Sequence, residues 1–188
     1  MLMDESPMNC LSSSKETLDY DGLFNWTMTY RMNSDVPIPY GRTIRKASSL
    51  QSSLWEVNLM DSKTKLLAVM ISHCGGRNQR MDYIKALKPL LRDHLDIIGG
   101  CISGNSTICP RHFHKDCSVL SSYKFYLSFE NSDCREYMTE KVFWNAFHKH
   151  AVPIIMGAPL EDCRRLLPPG SYLHRIQALL SHLRGPEL

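Results

Sequence analysis

Residues 66–72 (LLAVMIS) and 124–129 (KFYLSF) are apolar runs, each followed by a turn signal, a helical pattern and another short apolar run. This repetition restricts the available folds more than any other property of the chain. Runs without strict polar alternation read as strands buried on both faces, the condition of a covered parallel sheet. After the first run, Gly75-Gly76 interrupts. Residues 78–92 then place Met81, Ile84, Leu87, Leu90 and Leu91 on one expected helical face, and residues 95–98 return as a strand closed by Gly99-Gly100. After the second run, Glu130, Asn131, Ser132 and Asp133 put polar groups beyond the strand's carboxyl end. Thr139, Glu140 and Lys141 open a helix, and residues 152–156 (VPIIM) supply the next strand. Strand–helix–strand twice over implies parallel neighbours, so the expected class is α/β with a doubly wound parallel sheet.

Ahead of this region, residues 1–22 read as loop-rich. Residues 23–31 have strand-like alternation ending in an Asn33-Ser34-Asp35 turn, and 36–41 (VPIPYG) must be extended because two prolines exclude helix. Residues 46–53 read as a polar linker. At 188 residues and 43% hydrophobic content, the chain can bury a core and suggests one ordered globule. A net charge of +3 does not call for a nucleic-acid partner and is compatible with an anionic sugar nucleotide. No apolar run approaches the roughly 20 residues that span a bilayer. No signal-peptide pattern opens the chain either.

The seven cysteines point elsewhere. Cys101, Cys109, Cys117 and Cys134 lack the short C-x2-4-C pairs of zinc sites. They suggest two disulfides within 101–134, or one reaching Cys163, with Cys74 as the expected free thiol. The sequons at Asn25 and Asn105 agree with a luminal protein, so an N-terminal targeting segment is expected outside this chain.

The junction after residues 124–129 is the strongest candidate site, because open α/β sheets bind ligands beyond their strands' carboxyl ends. A helix N-terminus with an adjacent lysine suits a diphosphate, which selects Lys141. Arg80, in the first turn of the earlier helix beside a Gly-Gly turn, is the second candidate cation, with Arg77 competing. No Asp-x-Asp or His/Cys cluster suggests a catalytic metal.

The segments FYLSFENS, EYMTEK and AVPIIMGAP resemble the donor-binding region of the α-1,3-fucosyltransferases. The resemblance runs over about residues 3–174. It implies the Rossmann-like donor-binding lobe of a two-lobed GT-B glycosyltransferase. The implied boundaries are 1–50 for the end of the acceptor lobe and interlobe segment, 51–174 for the GDP-fucose-binding domain, and 175–188 for a divergent C-terminal helix. The implied reaction transfers L-fucose from GDP-fucose, with inversion, to O3 of GlcNAc in an N-glycan or lactosamine-type acceptor. Residues 101–134 and VPIIMG lean towards invertebrate enzymes acting on N-glycan cores, with Lewis-type enzymes close behind. No cofactor is expected for the chemistry, a divalent cation at most stimulating it.

Residue by residue, the resemblance assigns Arg80 and Lys141 to the diphosphate, with Ser72 keeping the family's spacing to Arg80 while His73 replaces an asparagine. It further assigns Asn131 and Glu140 to ribose or fucose hydroxyls, Tyr126 and Tyr137 to packing or hydroxyl contacts, and Tyr40 to the donor face. MDESPMNC at 3–10 matches the family's Glu-Ser-Pro segment, which makes Glu5 the expected general base. Full-length members are anchored on the luminal side of the Golgi as single-pass type II proteins. The alternative is a form that binds GDP or GDP-fucose without transfer.

Overall fold

The computed structural model of the chain describes residues 2–4, 24–45, 58–75, 78–101, 108–109 and 116–175. Three short parallel strands, β1 (Leu2–Asp4), β2 (Thr27–Thr29) and β3 (Val36–Pro37), form a small sheet in that order. The expected strand over 23–31 is thus limited to three residues. The following turn is closed by Asp35, whose carboxylate accepts from the Thr27 backbone N–H and hydroxyl, both at 2.8 Å.

The main sheet has five parallel strands. These are β4 (Lys65–Met70), β5 (Leu95–Ile98), β6 (Tyr123–Phe129), β7 (Val152–Met156) and β8 (Leu173–His174), in the order β5-β4-β6-β7-β8. All four apolar runs identified in the sequence become strands of this sheet. β4 is flanked by β5 on one side and β6 on the other, so the direction of winding reverses between β4 and β6. The crevice beyond their carboxyl ends is the topological switch point, where open α/β sheets receive ligands.

The pleat sorts side chains between the two faces. Leu67, Val69, Ile71, Leu127 and Phe129 pack with Met81 and Ile84 of the helix α1 (Arg80–Leu91). Ala68 and Tyr126 face the other way, against Leu120, Ala146 and Ala151. The buried face of α1 is Met81 and Ile84 with Leu87 and Leu91 partly buried. Leu90, expected on that face, is 78% exposed because six residues of helical rotation from Ile84 carry it to the solvent side.

The helix expected after Thr139 is shorter than its pattern suggests. α2 (Glu140–Phe143) is one turn, ended where the Trp144 and Asn145 N–H groups both donate to the Glu140 carbonyl. A single turn sums few peptide dipoles, so side-chain charge must do most of the electrostatic work there. α3 (Leu160–Leu166) follows β7 and packs Cys163 against Val142, Phe143 and Ile155.

Of the expected disulfides within 101–134, one is present, Cys109 to Cys117, and the rest of the pattern is corrected. Cys74, the expected free thiol, is bonded to Cys101, with Cα atoms 5.1 Å apart, leaving Cys134 and Cys163 as free thiols among the described residues. The cause is sheet order: β4 and β5 are paired through Met70 and Ile98, so the loops leaving them carry Cys74 and Cys101 side by side. Residues 176–188, most of the expected C-terminal helix, lie outside the described residues, as does the linker 46–53.

Candidate functional site

Arg80, the first residue of α1, spans the switch point. It is 3% exposed; its Nη1 donates to the Phe129 carbonyl at 3.1 Å and its Nη2 to the His73 carbonyl at 2.8 Å. One guanidinium therefore ties the end of β6 to the loop leaving β4, and its buried Nε–H has no hydrogen-bond partner among the described residues. Burial pulls the guanidinium below its ordinary pKa, opposed by the nearby Glu130, Tyr137, Glu140 and Tyr126. Asn78 adds a second tie, its amide donating to the Glu130 carbonyl and to Asp133 Oδ1, each at 3.0 Å.

Lys141 lies at the start of α2 within a cage of oxygens. Its ammonium donates to Thr139 Oγ1 at 3.0 Å and Glu140 Oε1 at 2.9 Å, and stands 3.1 Å from Glu130 Oε2. Burial opposes its charge, but Glu130 and Glu140 outweigh burial and hold its pKa above the ordinary lysine value. Thr139 is the N-cap of α2 and links the two ends of the cage. Its backbone N–H and hydroxyl donate to Glu130 Oε1 at 2.8 and 2.9 Å, while the same hydroxyl accepts from Lys141.

Glu130 was not singled out by sequence reasoning, and it is the most constrained acid at the junction. It is fully buried, and burial pushes its carboxyl above the usual range against the pull of Lys141 and Thr139. Its backbone N–H extends the ladder to the Met156 carbonyl at 2.9 Å. The chain can close over it because residue 157 is glycine: φ is +128°, and an added Cβ would lie 2.7 Å from the Glu130 Cβ. The available signal was position, since Glu130 follows the strand directly, with no turn residue between to turn it towards water.

The remaining expected residues separate into groups. Tyr137 is buried and joins Arg80 electrostatically; it also packs against Tyr40, with ring centroids 6.3 Å apart, and Tyr30, at 5.0 Å. Tyr40 thereby meets the same cluster from the segment after β3. Tyr126 is sealed in the core, its hydroxyl accepting from the Met70 N–H at 3.3 Å and the Asn145 amide at 3.2 Å. Asn131 is half-buried just past Glu130, and Ser72 is exposed beyond β4. Asn25 is exposed. Glu5, Arg77 and Asn105 lie outside the described residues.

Residues 30–44 strap this side of the molecule. The Met32 N–H donates to Glu136 Oε2 at 2.7 Å, Thr43 Oγ1 donates to the Leu166 carbonyl at 2.9 Å, and Gly41 lies so close to the Phe143 ring that no Cβ would fit. Two clefts, of about 230 and 420 Å³, open along this strap, and neither is lined by Arg80 or Lys141. The polar cluster at the switch point, with two cations and the Arg80 Nε–H, is the better candidate for an anionic ligand than either cleft.

Residues 60–181 match the family model described as glycosyltransferase family 10 (fucosyltransferase), C-terminal part, and residues 1–41 match that of the fucosyltransferase N-terminal region. The chain is 40% identical over 152 residues to glycoprotein 3-alpha-L-fucosyltransferase A of Drosophila melanogaster, aligning 80% of this chain with 29% of that one. It is 37% identical over 170 residues to 3-galactosyl-N-acetylglucosaminide 4-alpha-L-fucosyltransferase FUT3 of Bos taurus, covering 90% of this chain and 42% of that one. The crystal structure of an α1,3-fucosyltransferase with GDP shares the fold, with a TM-score of 0.51 and 21% identity over 69% of this chain and 36% of that one. The chain spans less than half the length of these proteins.

Proposed function

Since this chain belongs to the glycosyltransferase family 10 fucosyltransferases, we propose that it carries the GDP-fucose site of an inverting α-1,3-fucosyltransferase acting on GlcNAc of glycoprotein glycans. The observation that supports this reading is that both cations stand at the end of β6, Arg80 bonded to the Phe129 carbonyl and Lys141 at 3.1 Å from Glu130 Oε2. The diphosphate occupies that crevice. It takes the Arg80 Nε–H and displaces the partly exposed Glu140 carboxylate from Lys141. Glu140, so released, accepts from a ribose or fucose hydroxyl, with Asn131 beside it and Tyr137 and Tyr40 closing the aromatic side.

The acceptor O3 attacks the anomeric carbon of fucose opposite the diphosphate and gives its proton to Glu5. The bond from that carbon to the diphosphate oxygen breaks with its electron pair, and GDP leaves with inversion. The charge developing on GDP is neutralised by Arg80 and Lys141, with no cofactor in the step. The reading divides the chain as 1–50, 51–174 and 175–188, and places it on the luminal side of the Golgi in a protein with a membrane anchor. The names of its relatives include both glycoprotein and galactosyl-GlcNAc acceptors, and either class fits this chemistry.

Titration calorimetry with GDP, followed by transfer assays with GDP-fucose and N-glycan or lactosamine acceptors, tests the reading. GDP should bind, and Arg80→Ala should weaken it about 10- to 100-fold, the range of charge-assisted contacts. Absence of GDP binding overturns the reading. Binding without transfer to any acceptor supports the alternative of a donor-binding form.

A further inference from the structure

We propose that Glu130 is a positioning residue, which acts through Thr139 and Lys141 to present a preset ammonium to the donor diphosphate. The inference rests on the donor-site reading and adds to it a residue that need not touch the donor. Glu130 is fully buried, whereas the Lys141 side chain is 17% exposed and that of Glu140 21% exposed. The ion pair therefore has a closed anionic end and an open cationic one. Burying a carboxylate is costly, and an apolar pair of similar volume often serves stability as well or better. What the buried acid supplies here is orientation. A lysine stem loses much rotamer freedom when fixed, and a cage that fixes it beforehand spares the donor that loss.

The three oxygens around the Lys141 ammonium are not equivalent. Glu130 is locked by the Thr139 N–H and hydroxyl at 2.8 and 2.9 Å, and Thr139 by its place at the α2 cap. Glu140, on the open side and 21% exposed, is the oxygen that a diphosphate replaces. Lys141 then keeps Glu130 and Thr139 as fixed partners while its third proton changes hands. Removal of the Glu130 charge loosens the ammonium and makes binding pay for its ordering.

A double-mutant cycle read by GDP calorimetry on the 188-residue chain, with thermal melts alongside, separates this role from general support of the fold. Lys141→Met should weaken GDP binding about 10- to 100-fold. Glu130→Gln, which keeps the side-chain shape, should weaken it by about fivefold, and the double variant should match Lys141→Met within about twofold. Additive losses, or an unchanged affinity in Glu130→Gln, overturn the proposal while leaving the donor site in place. An unchanged affinity in Lys141→Met overturns the donor-site reading itself. Should Glu130→Gln fail to fold, Thr139→Val should weaken GDP binding and Thr139→Ser should restore it. Equal affinity in those two variants overturns the proposal.

Discussion

Tyr126, itself an expected donor-site residue, stands on the central strand β6, yet its hydroxyl points into protein and accepts from Met70 and Asn145. Burial pushes its phenol up to about 12 from the ordinary 10.0. The unfolded chain gives up this proton first, so the tyrosine's contribution is complete below about pH 10 and is lost between about 10 and 12. A shift of that size corresponds to about 3 kcal/mol at most. Cys163, buried in α3 and likewise pushed up to about 12, adds a loss that begins nearer its ordinary 9.0. Tyr126→Phe should destabilise the chain by about 1–3 kcal/mol at neutral pH, since Met70 N–H and the Asn145 amide lose an acceptor. It should also flatten the fall in stability between about pH 10 and 12, as read by urea melts across that range. GDP affinity should change less than about twofold, because the hydroxyl is already engaged in the core; a larger loss would make Tyr126 part of the ligand contact.

The loops leaving β4 and β5 form one unit, because Cys74–Cys101 joins them next to His73, whose carbonyl holds Arg80. Cross-linking residues 27 apart in sequence removes about 3–4 kcal/mol of unfolded-chain entropy. Replacing both cysteines by serine should cost about 2–4 kcal/mol in denaturant melts and weaken GDP binding by freeing the carbonyl that orients Arg80. An equal melt with and without reductant for the unsubstituted chain would show that the bond does not contribute. This disulfide also marks how far the sequence could be read. Strands β4 to β7 were legible because strands covered on both faces need near-continuous apolar runs, as in LLAVMIS and VPIIM. The partner of Cys74 was not, since it depends on β5 lying beside β4, and nothing local to either cysteine encodes strand order. The brevity of α2 and the burial of Glu130 were hidden for the same reason. One depends on two N–H groups converging on the Glu140 carbonyl; the other depends on Thr139, Lys141 and Gly157 closing around a single carboxylate. At the site, Arg80, Tyr137, Glu140 and Lys141 were recognisable as a set, and the structure brings them into one electrostatic neighbourhood.

Across the whole molecule, donor chemistry and proton removal are expected from different regions. The cations lie beyond the main sheet, whereas Glu5 directly follows β1, a strand of the small sheet paired with β2. The strap of residues 30–44 links the two regions through Glu136, Leu166 and the Tyr30–Tyr137 contact. If this division holds, binding and transfer should be separable by one atom exchange. Glu5→Gln should leave GDP affinity within about twofold, since no diphosphate contact is removed. It should lower kcat about 100- to 10,000-fold, the range for loss of a positioned general base. The acidic limb of the kcat profile, which reports ionisation of that base with donor and acceptor bound, should vanish in the variant. A parallel loss of GDP affinity would show that the carboxylate supports the donor pocket and does not serve only as base. A full acidic limb in an active Glu5→Gln variant would assign the proton to another group. That second result would move the acceptor half of the chemistry away from the Glu-Ser-Pro segment without disturbing the assignment of Arg80 and Lys141.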